Sequence, residues 1–289
     1  MRRIPCHHAG MERTSRHLRR GLAAAAACGA GLVAVYGVFV RTTVGQRVDD
    51  AALLGRAAVP EGIVENAWGI LDTISLVTLA AASLAVAFIG LARGRFRAAV
   101  GAGVVLVGAN VTTQVLKRML LTRPELVAGE AIPINSLPSG HATVAMSVAV
   151  AALVVVPAAR RPLVAVLGAG YAVAVGVSTM VAGWHRPSDA VAAFLVVGMW
   201  VALVSMAGFA GEVGTGRARV ETLMWLGAGA ASIAVVVGGA GLVGLTASSE
   251  FTEFAGFGRR SLAFLSAASG IAATAAAVVA GTLRLSRSP

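Results

Sequence analysis

Apolar residues gather along the chain into eight long runs separated by polar breaks, near residues 22–40, 69–92, 98–116, 141–157, 163–182, 188–209, 221–246 and 261–283. A hydrocarbon layer about 30 Å thick takes roughly 20 apolar residues of helix to cross, so each run predicts a transmembrane helix. The pattern predicts an all-α fold, a polytopic membrane helix bundle. The first run is longer than the apolar core of a secretory signal, and no small-residue cleavage site follows it before Arg41. It is read as a retained anchor. The long polar connections, 41–68, 117–140 and 247–260, all fall on one face of such a bundle and are predicted as loops, where function concentrates.

Composition agrees with this pattern. Hydrophobic residues make up 57% of the chain and charged ones 13%, against about 45–50% and about 25% in ordinary soluble domains. A disordered chain, a disulfide scaffold and a cytosolic enzyme are excluded. Cys6, in a basic tail, and Cys28, inside the first run, are poorly placed to pair or to build a metal cluster. Neither a metal nor another cofactor is expected. Abundant Gly and Ala are read as close helix packing.

The net charge of +11 is read as membrane topology and contact with anionic lipid rather than as nucleic-acid binding. Arg2, Arg3, Arg13, Arg16, Arg19 and Arg20 precede the first run. Counting alternate sides, the side of the N-terminus holds 15 Lys and Arg residues and the other side holds 9. Both termini are therefore expected in the cytoplasm, with the three long connections outside.

His7, His8 and His17 lie in the basic tail and are expected to be solvated or lipid-facing. His141 and His185 sit at predicted helix mouths on the outer side, in the clusters Pro138-Ser139-Gly140-His141 and His185-Arg186-Pro187-Ser188-Asp189. Polar residues are costly at such depth unless they have work to do. Lys117 is the single lysine among 24 Lys and Arg residues, and an ammonium is a compact charge suited to a phosphate oxygen. Pro124 biases Arg123 toward an extended conformation. Pro138 sets up a helix start whose free N–H groups make an anion site, with Gly140 permitting close approach and Ser139 adding a hydroxyl donor. His185 and Asp189, four residues apart, share one face of a helical turn. The carboxylate would fix the imidazole and leave its other nitrogen as a nucleophile.

These residues resemble the motifs of the type 2 phosphatidic acid phosphatases, K-x6-R-P, P-S-G-H and S-R-x5-H-x3-D. Pro138-Ser139-Gly140-His141 fits the second, and Ser178, His185 and Asp189 fit the third at its spacing. The resemblance covers roughly residues 22–209. It implies a six-helix phosphatase core over 21–210, a cytoplasmic basic tail over 1–20, and two additional transmembrane helices with a short tail over 211–289. Two departures stand out. Only five residues separate Lys117 from Arg123, which requires a non-helical chain there, and Thr179 replaces a phosphate-binding Arg. Arg186 or Arg118 is a candidate substitute for that charge.

The resemblance implies an integral membrane lipid phosphatase acting on a phosphate monoester or diphosphate through a phosphohistidine. His185 would be the nucleophile, Asp189 its orienting partner and His141 the acid and base. Lys117, Arg123, Ser139, Gly140 and Ser178 would bind the phosphate. The implied partner is a lipid phosphate, with a polyprenyl carrier, as the diphosphate or a phosphorylated sugar, favoured over phosphatidic acid or phosphatidylglycerol phosphate. A lipid phosphotransferase, a catalytically silent lipid-phosphate binder and a transporter stay open as alternatives. Asp72, the main charge near a mid-membrane position, is read as a local cap. Oligomeric state is not legible.

Overall fold

The computed structural model describes residues 6–128, 132–209, 217–246 and 257–286, and among them the chain forms ten α-helices and no strand. They are α1 (Cys6–Val35), α2 (Thr43–Leu54), α3 (Glu61–Asp72), α4 (Leu76–Ala92), α5 (Phe96–Val115), α6 (Gly140–Val155), α7 (Arg161–Val181), α8 (Pro187–Met206), α9 (Arg217–Thr246) and α10 (Phe257–Leu285). Wide π-turns extend α1 over Tyr36–Val40 and α5 over Leu116–Leu120. Five stretches are long and apolar enough to cross a membrane: Thr14–Val40, Phe96–Leu120, Ala158–Val181, Pro187–Met206 and Ser261–Leu285. The fold is an all-α polytopic membrane bundle.

Two expectations change. The run at 69–92 is not one helix but the end of α3 and all of α4, bent by 60°. Thr73 turns its hydroxyl onto the Ile70 carbonyl, and Ser75 and Thr78 then cap α4 reciprocally. Hydroxyl side chains compete for backbone partners in this way and so stop and restart helices. The expected loop 41–68 holds α2 and most of α3. Helix α2 escapes a hydropathy reading because its buried face carries Gln46, Asp49 and Asp50 beside Ala51, Ala52 and Leu53. Thr42 caps it by accepting from the Gly45 N–H at 3.0 Å. The third expected connection, up to residue 256, lies outside the described residues.

The largest core cluster joins α5, α6, α7, α8 and α10, with Phe194 of α8 and Ile271 of α10 fully buried at its centre. Helix α10 therefore packs into the heart of the bundle. Close approach depends on small residues, as expected where no hydrophobic gain drives helix association in lipid. A Cβ on Gly108 would meet the Trp200 ring at 2.7 Å, and that indole donates to Thr112 Oγ1 at 3.0 Å.

The two ends of the bundle differ in role. At one end the His17 imidazole lies 3.1 Å from the Ser205 carbonyl, and Ser205 Oγ donates to the Leu285 carbonyl at 3.1 Å, joining α1, α8 and α10. His17 is thus docked against protein rather than solvated or lipid-facing, because the tail is already helical and lies alongside the end of α8. Arg95 and Arg97 cap the Val156 and Ala207 carbonyls. The opposite end collects the C-terminus of α5, the N-termini of α6 and α8, and α2.

Replacing Gly108 by Ile is expected to cost about 1–3 kcal/mol through overpacking against Trp200 and to lower the thermal midpoint in detergent. Gly103→Ile, where a Cβ meets nothing within 4 Å, should leave that midpoint nearly unchanged. Equal midpoints for the two variants would refute this packing account.

Candidate functional site

The site is built where three turns meet. Helix α7 ends when Gly183 adopts a positive φ of 76°, a conformation open to glycine at little steric cost. The Thr179 carbonyl then accepts the Trp184 and His185 amides at 3.0 and 3.2 Å. This folds 182–186 into a tight turn that delivers His185 to the mouth of α8. Asp189, one turn into α8, accepts His185 Nδ1 at 3.0 Å and the Arg186 amide at 2.9 Å through the same Oδ2 atom. A carboxylate only accepts, so His185 carries its proton on Nδ1 and keeps the Nε2 lone pair available.

Asp189 also reaches the second cluster. Its backbone carbonyl accepts the Ser139 amide at 2.9 Å, which pins the start of α6 to the start of α8. Ser139 is fully buried and caps α6, its Oγ accepting the Ala142 amide at 3.3 Å. The Gly140 and His141 amides are left at the open end of the helix. At Gly140 an added Cβ would meet only Gln114 Nε2, at 3.6 Å. Space above this glycine is therefore not filled by protein.

The first cluster arrives from α5. Hydroxyl contact between Thr113 and Thr143 at 2.9 Å, and an Asn110 amide donating to Ser147 Oγ at 3.2 Å, clasp α5 to α6. Lys117 is carried in the π-turn that closes α5. It lies within electrostatic reach of Asp189 and His141, as His185 does of His141. After Leu120 the chain is extended, as the five-residue spacing from Lys117 to Arg123 requires. Arg123 donates to the Phe39 carbonyl at 3.4 Å. Its extended segment is held by the buried Gln46 of α2, which donates to the Pro124 carbonyl at 2.8 Å and accepts the Leu126 amide at 3.2 Å. Asn135 stitches this loop back to the carbonyls of Lys117, Leu121 and Leu137.

The geometry thus brings His185, Asp189, Ser139, Gly140, His141 and Lys117 together, and holds Arg123 in the adjoining loop. Ser178 is buried near the end of α7, and its carbonyl accepts the Ala182 amide. Thr179, which stands where the resemblance would have an Arg, is fully buried and its hydroxyl donates to the Gly176 carbonyl at 2.7 Å. Arg186 also departs from its expected substitute role. Its Nε donates to Asp50 Oδ1 at 2.6 Å and its Nη2 to the Ile132 carbonyl at 2.8 Å, so its charge is matched inside the protein. Among the described residues, no group of three or more His, Cys, Asp or Glu gathers closely enough to hold a metal ion.

Four neighbours went unnoticed in the sequence. Trp184 packs its ring 5.3 Å from that of His141 and receives Trp68 of α3 edge-on at 4.8 Å, which walls one side of the site. Asp49 accepts the Ser188 amide at 3.2 Å and the Ser188 hydroxyl at 2.5 Å, and Asp50 holds Arg186. The two tryptophans had a signal, one beside His185 and one in a long polar connection. Asp49 and Asp50 had none, because only the folding of α2 brings them here.

Burial, and then the neighbouring Asp189 charge, push Asp49 up to about 7, against the lowering effect of the Ser188 hydrogen bonds and the Arg186 charge.

Residues 96–210 match the family model of the PAP2 superfamily, and this segment carries all three motif clusters. No curated protein and no solved structure matches the chain. The matched segment and the apolar helices together mark a membrane protein of phosphatase type.

A raised carboxyl value means the fold prefers the protonated acid. Its contribution to stability is complete below the ordinary value of 3.8 and is lost as pH rises through about 7. Asp49→Asn removes this dependence. The wild-type thermal midpoint is expected to fall relative to that of the variant between pH 5 and pH 8, and parallel midpoints over that range would contradict the assignment.

Proposed function

We propose that this chain, PAP2-superfamily over residues 96–210, is an integral membrane phosphatase that hydrolyses a lipid phosphate monoester or diphosphate through a phosphohistidine on His185. The observation that carries the reading is the His185 Nδ1 contact to Asp189 Oδ2, which leaves Nε2 to attack phosphorus beside a second imidazole and an ammonium. In the first step the Nε2 lone pair forms the N–P bond. The bond from phosphorus to the leaving oxygen breaks, and protonated His141 supplies that oxygen with a proton. In the second step neutral His141 takes a proton from water, the hydroxide oxygen bonds to phosphorus, and the N–P bond breaks to release inorganic phosphate.

Charge builds on the equatorial oxygens during both steps. Lys117, Arg123, the Gly140 amide, the Ser139 hydroxyl and Ser178 are assigned to it, with Gln114 as a further donor. The positive ends of α6 and α8 point toward the same place. With the arginine-rich end of the bundle in the cytoplasm, both termini are cytoplasmic and the site is extracytoplasmic. The substrate head would then be reached from the outer leaflet, and the basic tail would rest on anionic lipid. A polyprenyl diphosphate and phosphatidic acid are the leading substrates.

The test is phosphate release from a panel of lipid phosphates by the purified protein, with vanadate as a phosphate-like inhibitor. Wild type should release phosphate and His185→Ala should release none. Lys117→Ala and Arg123→Ala should each lose about 10²–10³-fold, as for one lost transition-state donor. Lipid binding without release would make the protein a silent binder, and phosphate delivery to an added alcohol would make it a transferase.

A further inference from the structure

A chamber of about 540 Å³ lies behind the loop that carries His185, between the end of α1, α2, the first turns of α8, and the paired helices α9 and α10. Its volume is typical of small-molecule sites. It gives room for on the order of 15–20 methylene-sized groups if each is about as large as a water molecule.

The chemistry of the wall selects the occupant. Apart from aliphatic and aromatic groups, the lining holds Thr42, Asp49, Ser188, Ser232, Ser266 and Thr274. Each hydroxyl is already committed to the protein. Thr42 donates to the Val38 carbonyl, Ser232 to Ala228, Ser266 to Leu262 and Thr274 to Gly270. Ser188 donates to Asp49, whose other oxygen accepts the Ser188 amide. A cavity whose hydroxyls are all spent on protein acceptors, with Asp49 the one further polar side chain in its lining, has little to hold water with, and such cavities stay dry or take apolar guests. The helices around it include three of the stretches able to cross a membrane, so the apolar guest at hand is a lipid chain.

The chamber also adjoins the site. Phe39 lines it, and the Phe39 carbonyl accepts from Arg123. Pro187 and Ser188 line it as well, two and three residues past His185 in the same turn. Two of the three clusters assigned to phosphate chemistry thus touch the chamber wall at one end.

We propose that this chamber holds the hydrocarbon chain of the lipid whose phosphate lies at His185, so that α2, α9 and α10 form the tail subsite of the enzyme. The proposal rests on the phosphatase reading for the position of the head. The chamber takes one chain, and its volume sets an upper length beyond which a chain must leave it for the bilayer.

Two measurements separate this proposal from the reading it rests on. In the first, phosphatidic acid bearing a diazirine midway along one 16-carbon chain is photolysed with His185→Ala protein in micelles, and labelled peptides are mapped. Label is expected within 263–274 of α10 and is expected to fall at least tenfold in the added background of Ala267→Phe or of Gly270→Leu. Label confined to outward residues such as Leu84 and Phe88, or unaffected by either filling change, overturns the proposal. In the second, the KM ratio of 16-carbon to 6-carbon phosphatidic acid is compared in His185-intact protein. Filling the chamber should raise this ratio at least tenfold, and an unchanged ratio counts against the proposal. Chamber labelling without phosphate release from any substrate would retain the tail subsite and reject the hydrolase. Release with label only on the outer surface would do the reverse.

Discussion

Everything at the site end of this bundle depends on how four ionisable side chains are kept in an apolar protein. Asp49, Asp50, Arg186 and Asp189 are all buried. An isolated buried charge costs several kcal/mol even after relaxation, and pairing offsets this only when hydrogen bonds satisfy the remaining lone pairs and protons. Here Asp50 meets Arg186 Nε, Asp49 meets both donors of Ser188, and Asp189 takes His185 and the Arg186 amide. Removing one partner would leave another charge exposed to a low-dielectric interior. The helix that closes the account is α2, a short segment that spans nothing and turns its acidic face inward.

The same network sets the chemistry. One carboxylate oxygen of Asp189 fixes the imidazole and the start of α8, while its carbonyl holds the start of α6 through Ser139. Two helix N-termini are therefore locked side by side, and their positive ends reinforce each other at a place flanked by Lys117. An anion held there meets oriented dipoles that need no rearrangement as charge develops. Thr179 is a structural residue whose carbonyl shapes the turn that carries His185 and whose hydroxyl is returned to its own helix.

Much of this was legible in the sequence, and the rest was hidden for identifiable reasons. Hydropathy located α5, α7, α8 and α10 to within a few residues because their composition matches their surroundings. His185 and Asp189 meet as their four-residue spacing suggests, although His185 stands in the turn before α8 and not on the helix itself. The meeting of Ser139 with Asp189 is a contact between distant segments, which no local spacing encodes. Helix α2 was missed because its interior face is polar, so amphipathic reasoning sees a loop where a buried helix stands. The break at Thr73–Ser75 was missed because hydroxyl caps inside an apolar run look like ordinary small residues. Arg186 looked like a spare cation because its partner, Asp50, lies 136 positions away.

These contacts bear on what the family match encloses. Residues 96–210 contain every residue assigned to the reaction, yet the positions of several are fixed from outside that segment. Gln46 holds the extended segment of Arg123, Phe39 receives its guanidinium, Asp50 anchors Arg186, Asp49 caps α8, and Trp68 backs the ring that packs on His141. From the other side, Ile271 and Ala275 of α10 complete the core against which α8 is seated. A side chain on a tight turn, as His185 is, is only as well placed as the elements that hold the turn. In this chain those elements come from α1 to α3 and from α10, so the reaction residues and the residues that aim them occupy different parts of the sequence.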